Sequence, residues 1–164
     1  MVANPYGLQR VRKPGERASD IYDAAFRSRC ISFAATGMSR RGVAAALGKP
    51  ISFEVVTDHL QDMERQARLI TRWGSNVFVK IPITNAVGTS TLRLVTRLAE
   101  DGIKVNVTAV LTPEQIYEAM KALIHAEDAI LSIFAGRIGD TGREPETFVA
   151  DAVKVFRTNP KVRV

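Results

Sequence analysis

From about residue 50 the chain alternates short β-branched runs with longer stretches in which apolar residues recur every three or four positions. The runs predict strands at Ile51-Ser52-Phe53-Glu54-Val55, Val77-Phe78-Val79-Lys80-Ile81, Val105-Asn106-Val107-Thr108-Ala109 and Leu131-Ser132-Ile133-Phe134-Ala135. Between the first two, Leu60, Met63, Ala67, Ile70 and Trp73 predict a helix closed by Gly74. Leu92, Val95, Leu98 and Ala99 predict a second, with Thr89 or Ser90 available as its cap. Thr112-Pro113-Glu114-Gln115 reads as a capping box with proline at the first helical position, leading into Ile116, Met120 and Leu123. A last helix is expected from Pro145 to Arg157 on Phe148, Val149, Ala152, Val153 and Phe156, and Lys161 to Val164 looks like the start of another strand.

Strands separated by helices run parallel, because each helix crossover returns the chain to the same end of the sheet. Alternation then gives the sheet two unlike faces. One carries Ile51, Phe53, Val55, Val77, Val79, Ile81, Val105, Val107, Ala109, Leu131, Ile133 and Ala135, and is expected to meet the helices. The other carries Ser52, Glu54, Phe78, Lys80, Asn106, Thr108, Ser132 and Phe134 and is largely polar. A doubly wound sheet buries both faces, so this asymmetry disfavours a Rossmann-like layer. A partial β/α barrel of about four units fits best, with the polar face inward. A β/α solenoid shares the repeat length but lacks the regular leucine and asparagine consensus of such repeats.

On the polar face Glu54, Lys80, Asn106 and Ser132 follow one another at intervals of 26 residues, about one strand plus one helix. They are therefore expected at matching positions of successive units. Lys80 stands within an apolar strand. An ammonium in a low-dielectric setting loses proton affinity, and a neutral amine is the species that attacks a carbonyl to form a Schiff base. A lysine that merely satisfies Glu54 on the neighbouring strand is the structural alternative, and the two are evenly balanced on this ground alone. Glu54, Asn106, Thr108 and Ser132 add an acid/base or water-holding carboxylate and hydrogen-bond partners suited to a sugar's hydroxyls. Phe134 can be a packing residue, and Arg137, just past the last strand, can grip a phosphate or form a surface ion pair.

Composition narrows the alternatives. The net charge of +6 resides in residues 1–49, which hold nine Lys and Arg against three Asp and Glu, while the remainder holds fourteen of each. Without interleaved aromatics or a groove-binding motif, this placement argues against nucleic acid as the partner. The segment 1–49 reads as a basic leader with a short helix at Ser19 to Arg27 and an apolar patch at Ala44 to Leu47, and 50–164 as the β/α domain. It is not a secretory signal, and no apolar run is long enough to span a membrane. The lone Cys30 forms no internal disulfide, which suits a cytoplasmic location. His59 and His125, placed in predicted helices, are too isolated to suggest a metal site, and the Thr84 to Ser90 stretch has no phosphate-cradle pattern.

Phe78-Val79-Lys80-Ile81-Pro82, Asn106-Val107-Thr108 and Ser132-Ile133-Phe134-Ala135-Gly136-Arg137-Ile138 resemble three successive strand motifs of the transaldolase family, and Ile51 to Val55 the strand before them. The resemblance covers about residues 50 to 164. It implies a β/α barrel and a transferase of the pentose phosphate pathway and carbohydrate metabolism. In it, Lys80 forms a Schiff base with a ketose phosphate and passes a dihydroxyacetone unit to an aldose phosphate. By the same resemblance Glu54 and Thr108 hold the catalytic water, Asn106 and Ser132 bind donor hydroxyls, Phe134 shapes the site and Arg137 binds phosphate. No metal or organic cofactor is implied. Glu54 and Phe134 are the transaldolase choices where fructose-6-phosphate aldolases usually have glutamine and tyrosine. The family's first-strand aspartate and its Thr-Asn-Pro motif have no counterpart in residues 1–49, where Asp20 and Asp23 sit in a helical context. The chain thus resembles the middle four units of an eight-unit barrel, a truncated form expected to turn over weakly and to cover its open sheet edges by pairing with a second copy. An aldolase-like lyase, a non-catalytic sugar-phosphate binder and a basic polyanion-binding protein are the alternatives.

Overall fold

The computed structural model describes residues 48–164, together with Gly37, Ser39, Gly42 and Ala46. The helix expected at Ser19 to Arg27, Cys30, and all but Ala46 of the Ala44 to Leu47 patch lie outside the described residues. The chain divides into two compact units, Met1–Val43 and Ala44–Val164, and the architecture below is that of the second.

Five parallel strands lie side by side in chain order: β1 (Ile51–Glu54), β2 (Val77–Pro82), β3 (Val105–Val110), β4 (Ala129–Ile133) and β5 (Val162–Arg163). The crossovers carry α1 (Leu60–Ile70), α2 (Leu92–Glu100), α3 (Pro113–Ala122), α4 (Ala135–Asp140) and α5 (Pro145–Phe156). Strands added one after another in sequence order, with a helix in each crossover, form a sector of a β/α barrel wall.

The expected division of faces holds through β2 and as far as Val107 and Leu131 on β3 and β4. Val77, Val79, Ile81, Val105, Val107 and Leu131 are buried in one core with Met63 and Ala67 of α1, Leu94, Val95 and Leu98 of α2, and Ile116 and Ala119 of α3. At its margin Phe53 meets Trp73 edge to face, with ring centres 5.1 Å apart. α1, α2 and α3 contribute the stripes their spacing predicts, because residues three and four apart share a face. On α5 the stripe is narrower than expected: Phe148, Ala152 and Phe156 are buried, whereas Val149 and Val153 are exposed.

Local signals account for several boundaries. α3 starts with the full capping box: Thr112 Oγ1 accepts from Gln115 N, and Gln115 Oε1 accepts from Thr112 N. The N-cap of α2 is Thr91 rather than either residue expected there, although Ser90 Oγ still accepts from Leu92 N. His59 and His125 stand at helix ends, the first as the N-cap of α1 and the second in the turn after α3.

β4 departs most from expectation. It starts at Ala129, two residues early, and stops at Ile133, so that Ala135 opens the unpredicted helix α4 instead of ending the strand. Opposite its carboxyl end, β3 is irregular. Asn106 pairs with Ile130 and Val107 with Leu131, but Val110 pairs with Ile133, leaving Thr108 and Ala109 together opposite Ser132. This is a β-bulge, and Ala109 holds a left-handed φ of 59° within it. Val110 therefore takes the buried place that alternation assigned to Ala109.

The sheet curves toward its polar face. Ser52 on β1 and Asn106 on β3 are hydrogen-bonded at 2.9 Å although β2 lies between them. On a flat sheet such strands run roughly 10 Å apart, at or beyond the reach of these short side chains. The curvature is that of a barrel wall, with the polar residues on its concave side. Among the described residues no helix is long and apolar enough to cross a membrane.

Candidate active site

The carboxyl ends of β1 to β4 gather most of the residues singled out from the sequence. Glu54 is the last residue of β1 and stands in register with Lys80, which in turn stands in register with Asn106. Two of the three 26-residue intervals thus become direct cross-strand neighbours. The third does not, because the residue paired with Asn106 is Ile130, and Ser132 lies two positions farther along β4. Ser132 reaches Asn106 all the same, donating from Oγ to Oδ1 at 2.8 Å, as a diagonal neighbour on the same face can.

Lys80 Nζ lies 3.7 Å from Glu54 Oε2 and 5.9 Å from the centre of the Phe134 ring. The ion pair is long for a hydrogen bond, and the lysine side chain is 29% exposed. The amine is thus sheltered but reachable, with a carboxylate on one side and an aromatic face on another. Asn106 and Thr108 are buried beside it, at 6% and 0% exposure. Asn106 is committed at both ends of its amide, donating from Nδ2 to Ser52 and accepting at Oδ1 from Ser132. Thr108 Oγ1 is the one buried side-chain polar atom among the described residues with no hydrogen-bond partner. A buried hydroxyl left unpaired is costly, and sites that bind a polar ligand or water are where such groups are found.

Phe134 links this cluster to a second feature. Together with Ile133, Ala135, Gly136, Arg137 and Asp140 it lines an open hollow of about 480 Å³ after β4. Arg137 lies on α4, exposed, with its guanidinium 3.4 Å from Asp140. The structure therefore brings Lys80, Glu54, Asn106, Thr108, Ser132 and Phe134 together on one face, and sets Arg137 at the outer rim beyond Phe134.

Ser52 is the member that sequence reasoning left without a role. Alternation placed it on the polar face, two residues before Glu54, but nothing local pointed to a partner on β3. At the opposite, amino-terminal ends of the strands, Phe78 is buried between the Lys104 ammonium and the Arg163 guanidinium, 5.5 and 4.9 Å from its ring centre. Asp128 bridges both cations, 3.0 Å from Lys104 and hydrogen-bonded to Arg163. Partial burial works to raise the Asp128 pKa, but the hydrogen bonds from Arg163 and Lys104 outweigh it and hold the carboxyl below its ordinary value.

The profile of the Transaldolase/Fructose-6-phosphate aldolase family matches residues 8–162, a stretch that takes in most of the basic segment as well as the β/α domain. A probable transaldolase of Streptococcus equi subsp. zooepidemicus is 39% identical over 102 residues, covering 62% of this chain and 44% of the relative. One of Anaeromyxobacter sp. is 36% identical over 108 residues, 66% of this chain and 46% of its own length. One of Roseiflexus castenholzii is 34% identical over 119 residues, 71% and 50% respectively. The chain spans about half the length of these relatives. With the family profile matched along nearly its whole length and the parallel β/α wall that carries Lys80, the chain belongs to the transaldolase/fructose-6-phosphate aldolase family.

Proposed function

We propose that this chain carries the Schiff-base half of a transaldolase site and acts on phosphorylated sugars. The observation that carries this reading is Lys80, reachable on the concave face, with Glu54 at 3.7 Å and the unpartnered Thr108 hydroxyl on the next strand. Lys80 Nζ adds to the carbonyl carbon of a ketose phosphate, and loss of water gives an iminium. The carbon–carbon bond one removed from the iminium carbon then breaks: its electron pair forms the double bond of an enamine, neutralising the iminium nitrogen, and the hydroxyl on the departing carbon gives up its proton as it becomes the aldehyde of the aldose phosphate. The enamine carbon attacks an acceptor aldehyde, which takes the proton back, and water hydrolyses the new iminium to release product and free lysine.

Glu54 and Thr108 hold the water that carries these protons, the threonine supplying the hydroxyl that has no other partner. Asn106 and Ser132 bind hydroxyls of the dihydroxyacetone unit, and Phe134 bounds the site on the side of α4. Arg137, drawn away from Asp140, pairs with the phosphate at the rim. Glutamate at position 54 and phenylalanine at position 134 support transfer over simple aldol cleavage.

Borohydride reduction in the presence of fructose 6-phosphate tests the reading. The expected result is a stable adduct on the wild-type chain and none on Lys80→Ala. A wild-type chain that forms no adduct removes the Schiff-base assignment.

A further inference from the structure

Ser52 is half-buried on β1, opposite Phe78, while its hydrogen-bond partner Asn106 stands opposite Lys80. The bond between them therefore crosses β2 between Phe78 and Lys80, along the floor on which the lysine stands. The terminal torsion of an asparagine is soft and roughly two-fold, so an amide can present either its oxygen or its nitrogen to a ligand. Here both ends are engaged: Nδ2 donates to Ser52 at 2.9 Å and Oδ1 accepts from Ser132 at 2.8 Å. This leaves a definite set of unused groups. Asn106 keeps one N–H and one lone pair on Oδ1, and Ser132, having given its only proton to Asn106, keeps lone pairs alone.

We propose that Ser52 is a positioning residue that fixes the Asn106 amide in one orientation. Resting on the Schiff-base reading above, a sugar held at Lys80 then receives a hydrogen bond from Asn106 and gives one to Ser132. The group facing Ser132 must therefore be a hydroxyl that can donate. Ser52 itself touches no reacting atom; it acts through Asn106, two strands away. Burial strengthens the effect, since an amide at 6% exposure has little water to turn toward once an anchor is lost.

The test uses the full chain with Ser52→Ala, Ser52→Thr and Ser52→Cys. Two readouts are taken: borohydride trapping with fructose 6-phosphate, and the ¹⁵N-resolved side-chain NH₂ signals of Asn106, assigned by their loss in Asn106→Ala. Ser52→Ala is expected to lower the trapping rate roughly tenfold, the scale of one lost hydrogen bond. The two Asn106 amide protons, distinct in the wild type, should move toward the positions of a freely solvated asparagine. Ser52→Thr keeps the hydroxyl and restores both readouts. Ser52→Cys, a weaker acceptor of similar volume, gives an intermediate loss and serves in place of Ser52→Ala should that variant not fold.

Unchanged Asn106 signals in Ser52→Ala, or in Ser52→Cys if it is the one that folds, overturn the proposal. So do trapping rates equal to the wild type in both variants. If the wild type is not trapped at all, the assignment of Lys80 fails, and the amide signals alone decide whether Ser52 orients Asn106.

Discussion

Thr108 shows where stability and chemistry pull apart within one side chain. Its hydroxyl is buried without a partner, whereas its methyl group sits in packed surroundings. Thr108→Val keeps the shape and removes the orphaned oxygen. It is expected to stabilise the fold by about 1 kcal/mol, the desolvation cost recovered. Trapping on Lys80 with fructose 6-phosphate should fall in the same variant. Urea unfolding and borohydride reduction on one preparation check both halves, and a Thr108→Val protein that is less stable than wild type would mean the hydroxyl has a partner after all. At this scale the sequence was informative for a definite reason. Glu54, Lys80, Asn106 and Thr108 are polar residues in strands that otherwise alternate with buried apolar ones, so their face followed from the two-residue period. Ser52 shared that face, but its partner is 54 positions away in sequence, and no periodicity points across an intervening strand.

Among the elements, the contrast is between α3 and the β3–α4 region. The capping box of α3 is a contiguous four-residue signal, and the helix starts where it says. α4 has no such signal: Ala135-Gly136-Arg137-Ile138-Gly139-Asp140 contains two glycines, and it is Ile138, fully buried, that ties this turn to the fold. The bulge in β3 is equally silent in sequence, since alanine at position 109 gives no hint of a left-handed backbone. That conformation is strained for any residue with a Cβ and worse for a branched one. Ala109→Gly is therefore expected to be neutral or to raise stability by up to about 1 kcal/mol, and Ala109→Val to lower it by roughly 2 kcal/mol. Midpoints of chemical unfolding for the three proteins give the ordering; a stable Ala109→Val would show that the strand can pair without the bulge.

For the β/α unit as a whole, the amino-terminal ends of the strands are pinned by Asp128 between Lys104 of the segment entering β3 and Arg163 of β5. The hydrogen bonds from these cations hold the Asp128 pKa below its unfolded value despite the opposing effect of burial. A depressed folded pKa means that the unfolded chain takes up the proton first. The stabilisation is thus complete above the unfolded carboxyl value, near 4, and is lost as pH falls through the folded one. Glu114, held low by backbone hydrogen bonding and by Thr112 at the start of α3, acts in the same direction. Between neutral pH and about pH 3, Asp128→Asn should lose less stability than the wild type. Parallel denaturation curves for the two proteins over that range would contradict this assignment.

The sequence by itself determined the parallel β/α order, the core stripes of α1 to α3, the apolar and polar faces of the sheet, and the place of Lys80 on the polar one. These follow from periods of 2 and 3.6 residues and from short contiguous motifs, which act within one element. The tertiary structure alone decided the displacement of β4, the bulge at Ala109, the helix that carries Arg137, and the chain of contacts from Ser52 through Asn106 to Ser132. Each depends on how strands distant in sequence slide and curve against one another, and the energy that fixes that register comes from the packed assembly rather than from any one segment.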